Sequence, residues 1–404
     1  MRVSIIGQGY VGLTLAVNAS LNGHRVVGFD SDERIILNLN NKISFIPGIQ
    51  SISLQKVINS GSYMPTTDPE QINGSDIIVI AVPTPLNNLR EPDLSFLKSA
   101  ALQIARSVKN KALVINESTS YPGTLRNFIK PIISSSSHVK FLYASAPERI
   151  DPGNSEWNLR NTPRLVSGLT QEATQSALEF YNSICDKVEV VSSPEVAEAA
   201  KLIENTFRQV NIALANEFYT IANKLGFSST EAISAAASKP FGFMPFYPSI
   251  GVGGHCIPID PIYLSYSAKQ IGVTAELIDR ANKTNLSMVF HVVRDIEERL
   301  GRTLDGLKVQ IAGISYKAGV SDLRESPALK LITELISAGA KVSWHDPLID
   351  SYNNSVSSAL SSDIDLGLVV SPHDEIDFSV WKNNHVPVFD LSANSKSYGW
   401  PKFF

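Results

Sequence analysis

The feature that most constrains this chain lies at its start. Residues 3–6 are a short β-branched run, Gly7-Gln8-Gly9-Tyr10-Val11-Gly12 follows at once, and residues 11–21 carry a helical pattern. A strand that turns on glycines into a helix predicts a βαβ unit, because a tight turn and the close approach of a pyrophosphate both need missing side chains there. The helix N-terminus then faces the phosphates. Residues 26–29 read as the next strand, and Asp30 ends it 18 residues after Gly12. A carboxylate there accepts hydrogen bonds from the adenosine ribose hydroxyls and repels a 2′-phosphate, which favours NAD over NADP. Arg34 lies slightly downstream and leaves NADP open. Glycines serving only helix–strand packing are the alternative reading.

The alternation continues along the chain. Further strands are expected at residues 77–82 and 113–115, so the first part predicts a parallel sheet. From Glu195 the period changes. Val196, Ala200, Ile203, Phe207, Val210 and Leu214 follow helical spacing until Gly226 offers a stop, which predicts one helix of about 30 residues. A second helical run covers residues 275–300 and ends at Gly301. Between the two, the Pro-, Gly- and aromatic-rich residues 239–261 predict an irregular loop. After Gly301 strands return at 308–311, 341–344, 366–370 and 387–389, with Ser326-Pro327 as the N-cap and first turn of a helix to Ala338. Ser134 to Ser137 predict a loop. The expected fold class is α/β, with two Rossmann-like parallel-sheet domains joined by a central long-helix domain. The expected boundaries are residues 1–190, 191–300 and 301–404.

At 404 residues the chain has room for two to three domains of about 150 residues each. Its 43% hydrophobic and 18% charged residues are those of a folded globular protein. A net charge of -4 gives no global reason to bind nucleic acid or an anionic membrane. No apolar stretch approaches the roughly 18 residues of a membrane helix, and no signal-peptide pattern is seen. The expectation is a soluble, cytoplasmic protein without nucleic-acid or membrane partners. Two cysteines are too few for a disulfide framework. The seven histidines show no HxxxH or HExxH spacing, so no metal is expected.

Several loops carry candidate chemistry. Val82-Pro83-Thr84-Pro85 ends one strand and Glu117-Ser118-Thr119-Ser120-Tyr121-Pro122-Gly123-Thr124 ends the next. Ligands of open α/β sheets bind beyond the carboxyl ends of strands, so these loops either line a cofactor crevice or are ordinary Pro/Ser/Gly punctuation. Gly251-Val252-Gly253-Gly254-His255-Cys256-Ile257-Pro258-Ile259-Asp260 surrounds a cysteine with glycines, which leaves a thiol accessible and lets backbone close on a ligand. Cys185 fits a buried small hydrophobe instead. His255 is a candidate base or a neutral loop histidine. Lys201, Asn205 and Arg208 share one face of the long helix, either as a solvated stripe or as groups presented to a substrate. Finally, Gly313-Ile314-Ser315-Tyr316-Lys317-Ala318-Gly319-Val320 leads through Asp322, Arg324 and Glu325 into a helix N-terminus. That is a phosphate-binding geometry with Lys317 and Arg324 as cations, sized for a nucleotide diphosphate.

With these segments in hand, the sequence resembles the UDP-glucose/GDP-mannose dehydrogenase family, the nucleotide-sugar 6-dehydrogenases, over essentially its full length. GQGYVG, VPTP, ESTSYPGT, APERIDPGN, KLIENTFRQVNIALANE, GVGGHCIPIDP and GISYKAGVSDLRESPA look like that family's blocks in its order. The APERIDPGN and KPFGFMPFYPSIGVGGHCIPIDP blocks are most similar to the branch acting on UDP-N-acetylhexosamines, chiefly UDP-N-acetylglucosamine.

The resemblance implies a four-electron oxidation of the sugar's primary alcohol to a carboxylate with two NAD in turn, for surface polysaccharide synthesis. The apolar stripe of the long helix is more surface than one domain pair needs, so a homodimer or higher homo-oligomer through that region is expected. The resemblance also implies Gly7, Gly9, Tyr10, Val11, Gly12, Asp30, Thr84 and Thr119 as cofactor contacts. Lys201, Asn205 and Asp260 would handle the alcohol proton, with Thr119 helping to hold a water. Cys256 would trap the aldehyde as a thiohemiacetal, and Glu148 would serve hydrolysis of the resulting thioester. Substrate contacts would come from Glu148, Arg149, Lys201, Asn205, Arg208, Phe246, Gly253, Lys317 and Arg324. His255 and residues 239–240 stand where UDP-glucose members have Ser and a subunit-crossing Arg, and Ile150 where relatives of the branch often have an acid. UDP-N-acetylmannosamine and UDP-glucose therefore stay open as substrates. Outside this reading stand a non-catalytic sensor of NAD or nucleotide sugar and a two-electron β-hydroxyacid dehydrogenase, which needs no nucleophilic cysteine.

Overall fold

Alternating residues of the first strands divide between two apolar layers. Val3, Ile5, Ile77 and Val79 pack with Leu13, Ala16 and Val17 on one side, while Ile6, Ile78 and Ile80 pack with Leu97, Ala101 and Ile104 on the other. This period-two partition is what a sheet covered on both faces requires. The computed structural model describes all residues except 47, 48, 151–153, 155, 394 and 395. The Asp151-Pro152-Gly153 part of the APERIDPGN block thus lies outside the described residues.

Two compact units emerge: residues 1–204 with 262–273, and residues 205–261 with 274–404. The first contains β1 (Arg2–Ile6), α1 (Tyr10–Leu21), β2 (Arg25–Phe29), α2 (Glu33–Asn40), α3 (Ser51–Asn59), β3 (Tyr63–Thr66), β4 (Ile77–Ile80), α4 (Ser95–Ser107) and β5 (Leu113–Asn116). It continues through α5 (Lys130–Ser136), β6 (Leu142–Ser145), β7 (Arg164–Gly168), α6 (Gln171–Asn182) and β8 (Val188–Val190) into α7 (Pro194–Leu225). The strand order is β3-β2-β1-β4-β5-β6-β7-β8, parallel except for β6 against β7. Chain order reverses between β1 and β4, so the carboxyl ends of these two strands form the topological switch point at which open α/β sheets bind ligands.

One expectation needs correction. Ser134 to Ser136 are not loop but the last turns of α5, with only Ser137 beyond it. Pro131 presets the backbone of the first turn and Ile133 is fully buried, so packing outweighs the weak helix preference of serine.

The second unit holds the later residues of α7, then α8 (Ser229–Ala236), the first residues of α9 (Asp260–Gln270), and α10 (Glu276–Leu300). Gly301 ends α10 in the left-handed region at φ 64°, the expected glycine stop. Next come β9 (Lys308–Ala312), α11 (Pro327–Ser337), β10 (Lys341–His345), the small hairpin β11 (Ser351–Tyr352) and β12 (Ser355–Val356), β13 (Leu366–Val369), α12 (Ser379–Asn383) and β14 (Val388–Asp390). The sheet is β10-β9-β13-β14, all parallel. Leu331 and Leu335 of α11 and Val292 and Ile296 of α10 bury against Val309 and Ile311. The fold is thus α/β with Rossmann-like sheets at both ends of the chain and a long central helix. No described helix is long and apolar enough to cross a membrane.

Candidate active site

The glycine turn after β1 is shaped by what a side chain would strike. A Cβ on Gly7, whose φ is 92°, would lie 2.5 Å from Ala81 O, and one on Gly12 would lie 1.8 Å from Gly7 O. Those two glycines let the turn close against the end of β4 and let α1 approach it. A Cβ on Gly9 would meet no heavy atom within 4 Å, so the space above it is open to a ligand. Gln8 is wholly buried; its amide donates to Ile5 O at 2.8 Å and accepts from Tyr63 Oη at 2.7 Å, which fixes the turn. Asp30 Oδ2 accepts from the Gln8 N–H at 2.7 Å and Oδ1 from the Asp32 N–H at 2.9 Å. The carboxylate is therefore preset beside the turn with lone pairs left for ribose hydroxyls. These residues fit NAD. Arg34 forks onto Asp32 with bonds of 3.1 and 2.8 Å and is otherwise exposed.

Thr84 and Thr119 are buried in the loops after β4 and β5. Ser118 Oγ donates to Val82 O at 2.8 Å and ties these loops together. Behind them, Glu198 of α7 accepts from the Gly123 and Leu125 N–H groups at 2.7 and 3.1 Å. Burial pushes this carboxyl up to about 7 despite both bonds.

A second cluster of the first unit surrounds Arg164 of β7. Its guanidinium reaches Glu148 Oε2 at 2.6 Å and Glu117 Oε1 at 3.5 Å, and all three side chains are buried. Tyr181 donates to Glu117. Glu148 Oε1 also accepts from the Arg149 and Ile150 N–H groups at 2.7 and 2.9 Å. Burial would raise the Glu148 carboxyl, but Arg164 and these N–H donors hold it below the usual range. Arg149 forks onto Glu204. Lys201 is buried whereas Arg208 is exposed, so the stripe on α7 is not a uniformly solvated face.

In the second unit the cysteine loop docks on the last glycine-rich loop. A Cβ on Gly253 would lie 2.8 Å from Pro327 Cδ and from Tyr316 Cβ. Gly254, at φ 87°, donates its N–H to Arg324 O at 3.0 Å. Both glycines are needed for backbone to lie flat on those side chains. Cys256 is half-buried, and its carbonyl accepts from the Ile259 and Asp260 N–H groups at 3.1 and 2.8 Å, which starts α9. Asn205 donates to Asp260, and Phe246 packs edge-on against Phe207 with ring centroids 5.8 Å apart. Arg324 forks onto Asp322, and its charge reaches Cys256. Lys317 lies part-buried in the same loop.

That loop repeats the N-terminal turn. Gly313, at φ 81°, would drive a Cβ into Ser371 O, and Asp346 at the end of β10 accepts from the Ile314 and Ser315 N–H groups at 2.8 and 3.1 Å. The structure therefore brings Gly253, Cys256, Asp260, Asn205 and Arg324 into one unit, and the glycine turn, Asp30, Thr84, Thr119, Glu148 and Lys201 into the other. Sequence reasoning missed Arg164, Tyr181 and Glu198, and named Glu117 only as the first residue of the loop after β5. It also missed the buried Asn216, whose amide bonds Asn285 and the Ser249 N–H ahead of the cysteine loop. Among them only Asn216, within Ile212-Ala213-Leu214-Ala215-Asn216, carries the sequence signal of a polar residue beside an apolar run.

Comparison with known proteins matches three family domains in order along the chain. The NAD-binding domain of the UDP-glucose/GDP-mannose dehydrogenase family matches residues 1–185, its central domain 195–287 and its UDP-binding domain 310–392. A UDP-N-acetyl-D-glucosamine 6-dehydrogenase of Salmonella typhi is 34% identical over 359 residues, covering 87% of this chain and 83% of that protein. A UDP-N-acetyl-D-mannosamine dehydrogenase of Pyrococcus horikoshii is 32% identical over 388 residues, covering 95% and 92%. The solved UDP-D-ManNAc dehydrogenase structure from that organism superposes with a TM-score of 0.89 at 30% identity, covering 100% of this chain and 98% of that one.

Proposed function

The chain belongs to the UDP-glucose/GDP-mannose dehydrogenase family and is an NAD-dependent oxidoreductase, and from that premise we propose that it oxidises the primary alcohol of a UDP-N-acetylhexosamine, foremost UDP-N-acetylglucosamine, to the uronic acid. The observation that carries this reading is the docking of Gly253 and Gly254 onto Tyr316, Arg324 and Pro327, which joins the cysteine loop to the loop suited to a nucleotide diphosphate. In that reading residues 1–190 hold NAD, 191–300 carry the nucleophile and the dimer helix, and 301–404 hold the UDP moiety. The relatives divide between enzymes of UDP-N-acetyl-D-glucosamine and of UDP-N-acetyl-D-mannosamine.

NAD, when bound against Gly7, Gly9, Tyr10, Val11, Gly12 and Asp30 with Thr84 and Thr119 nearby, supplies the hydride acceptor for each of the two oxidations. Lys201 takes the alcohol proton, while Asn205 and Asp260 orient the reacting oxygen and Thr119 holds a water. Cys256 Sγ adds to the aldehyde carbon and the carbonyl oxygen takes a proton, giving a thiohemiacetal with a C–H left to oxidise. A bare aldehyde has no alkoxide to expel a second hydride; the thiohemiacetal has. Water then cleaves the thioester, releasing the carboxylate and the Cys256 thiol. Glu148, held ionised by Arg164, is the acid assigned to this hydrolysis. Arg149, Arg208, Phe246, Gly253, Lys317 and Arg324 contact the substrate.

We infer a homodimer through α7. Val196, Ile203, Phe207, Leu214, Ile221 and Leu225 are spaced by sevens and fours along one face and are 44% to 71% exposed, a continuous apolar stripe that a second copy of the helix would cover. A reducing cytoplasm and a role in surface polysaccharide supply fit two free thiols and a uronic acid product. The test is NADH formation across UDP-N-acetylglucosamine, UDP-N-acetylmannosamine and UDP-glucose. The largest kcat/KM is expected with UDP-N-acetylglucosamine, and turnover of none of the three overturns the reading.

A further inference from the structure

The two glycine turns differ in what becomes of their acid. In each, the glycine after the first strand donates its N–H to the carbonyl at the end of the neighbouring strand, Gly7 to Phe29 and Gly313 to His345. The next residue donates its N–H to an acid just beyond that strand, Gln8 to Asp30 and Ile314 to Asp346. Gly9 of the first turn therefore corresponds to Ser315 of the second. The space above Gly9 is open and Asp30 is part-buried, which suits a dinucleotide. Ser315 and Asp346 are instead 1% and 2% exposed, and a third buried side chain, His373 from the loop after β13, bonds them both.

His373 is held in one tautomer by its neighbours. Nδ1 accepts the Gly319 N–H at 3.0 Å, so the proton of the neutral ring sits on Nε2. Nε2 lies 3.1 Å from Asp346 Oδ2 and 3.0 Å from Ser315 Oγ. The Ser315 hydroxyl directs its own hydrogen to Lys317 O at 2.9 Å, which leaves its oxygen able to accept from Nε2–H. Asp346 is fully engaged in turn. Its Oδ2 takes the Ile314 and Ser315 N–H groups and the imidazole, and its Oδ1 takes the Leu348 N–H at 2.9 Å. Burial would raise this carboxyl, but His373 and the backbone donors hold it below the usual range.

The consequence falls on residues 315–319. Ala318 and Gly319 are exposed, and a Cβ on Gly319 would meet no heavy atom within 4 Å, so packing does not hold this end of the loop. The imidazole does. We propose that His373 is a positioning residue for the UDP moiety: through the Gly319 N–H and the Ser315 hydroxyl it presets the Lys317 loop in its diphosphate-binding shape, with Asp346 fixing the ring. This rests on the reading of that loop as the diphosphate site. The acid that the first turn leaves for a ribose supports the loop in the second. A loop ordered before binding loses less conformational entropy when the ligand arrives, so the support is felt as affinity.

The test is calorimetric titration of UDP into the full-length protein and its His373→Gln, His373→Asn and Lys317→Met variants, with NAD titrated as a control on folding. His373→Gln reaches the Nε2 position with an amide that can donate to Asp346, but leaves no acceptor where Nδ1 stood. His373→Asn keeps an acceptor there and loses the reach to Asp346. His373→Gln is expected to weaken UDP binding about tenfold and to raise the KM for UDP-sugar with kcat little changed. His373→Asn is expected to recover most of that affinity, with NAD affinity the same in both. Equal losses in the two variants are what a merely structural histidine predicts, and they overturn the proposal, as does undiminished UDP binding by His373→Gln. Amide hydrogen exchange of Gly319 in the unliganded wild-type enzyme tests the same bond if a variant folds poorly. Protection is expected, and exchange at the rate of an unbonded amide overturns the role of His373. Lys317→Met is expected to lose about tenfold in UDP affinity; no loss there overturns the reading of the loop as the diphosphate site, whatever His373 does.

Discussion

The Asn205 side-chain amide donates a 2.6 Å hydrogen bond to Asp260 Oδ2. Asp260 is buried at the start of α9, and its own N–H is bonded to the Cys256 carbonyl. A single side chain of α7 thus sets the segment that carries the thiol. Replacing Asn205 by Ala strips a donor from a buried carboxylate, so a loss of about 1–3 kcal/mol and a lower Tm are expected. Differential scanning calorimetry checks this; an unchanged Tm means the bond is absent in solution.

Gly9 and Gly12 part company under the same substitution. A methyl on Gly9 meets nothing in the protein, so Gly9→Ala is expected to fold with wild-type Tm and to lose about tenfold or more in NAD affinity, near 1.4 kcal/mol. A methyl on Gly12 collides with Gly7 O, so Gly12→Ala is expected to lower stability by about 1–3 kcal/mol or more. Thermal melts with and without NAD separate the two, and matching behaviour would contradict the turn geometry.

Asp30 governs the choice of cofactor. Arg34 is engaged by Asp32, so the carboxylate meets an incoming 2′-phosphate without a cation committed to it. Asp30→Asn keeps the shape and removes the charge. The ratio of kcat/KM for NADP over NAD is expected to rise about tenfold, and no change in that ratio would remove Asp30 from the discrimination.

Glu198 makes stability depend on pH. Its folded carboxyl is raised from 4.5 to about 7, chiefly by burial. A raised folded value means the stabilisation is fully present below the unfolded value and is lost as pH rises through about 7. Tm is expected to fall over that window, and Glu198→Gln to flatten the fall. A variant whose Tm declines as steeply as wild type places the proton elsewhere.

Much of this was readable from spacing. Gly7 to Gly12 with Asp30, the α7 period ending at Gly226, and the Ser326-Pro327 cap are local signals, and each became the element it predicted. Ser134 to Ser136 misled because the burial of Ile133, which decides the helix, depends on the sheet beneath it. The antiparallel pairing of β6 with β7 is set by long-range contacts. Cys256 stood out through its glycines. Arg164 did not, since an arginine between apolar residues shows its purpose only when Glu117 and Glu148 arrive from distant loops.

The central claim is that Cys256 carries the substrate between two oxidations, and counting NADH against UDP-sugar consumed tests it most directly. The account predicts two NADH per sugar for the wild-type enzyme, with Cys256→Ser still binding NAD but losing sustained uronic acid production. One NADH per sugar in the wild type, or unimpaired uronic acid formation by Cys256→Ser, would contradict it.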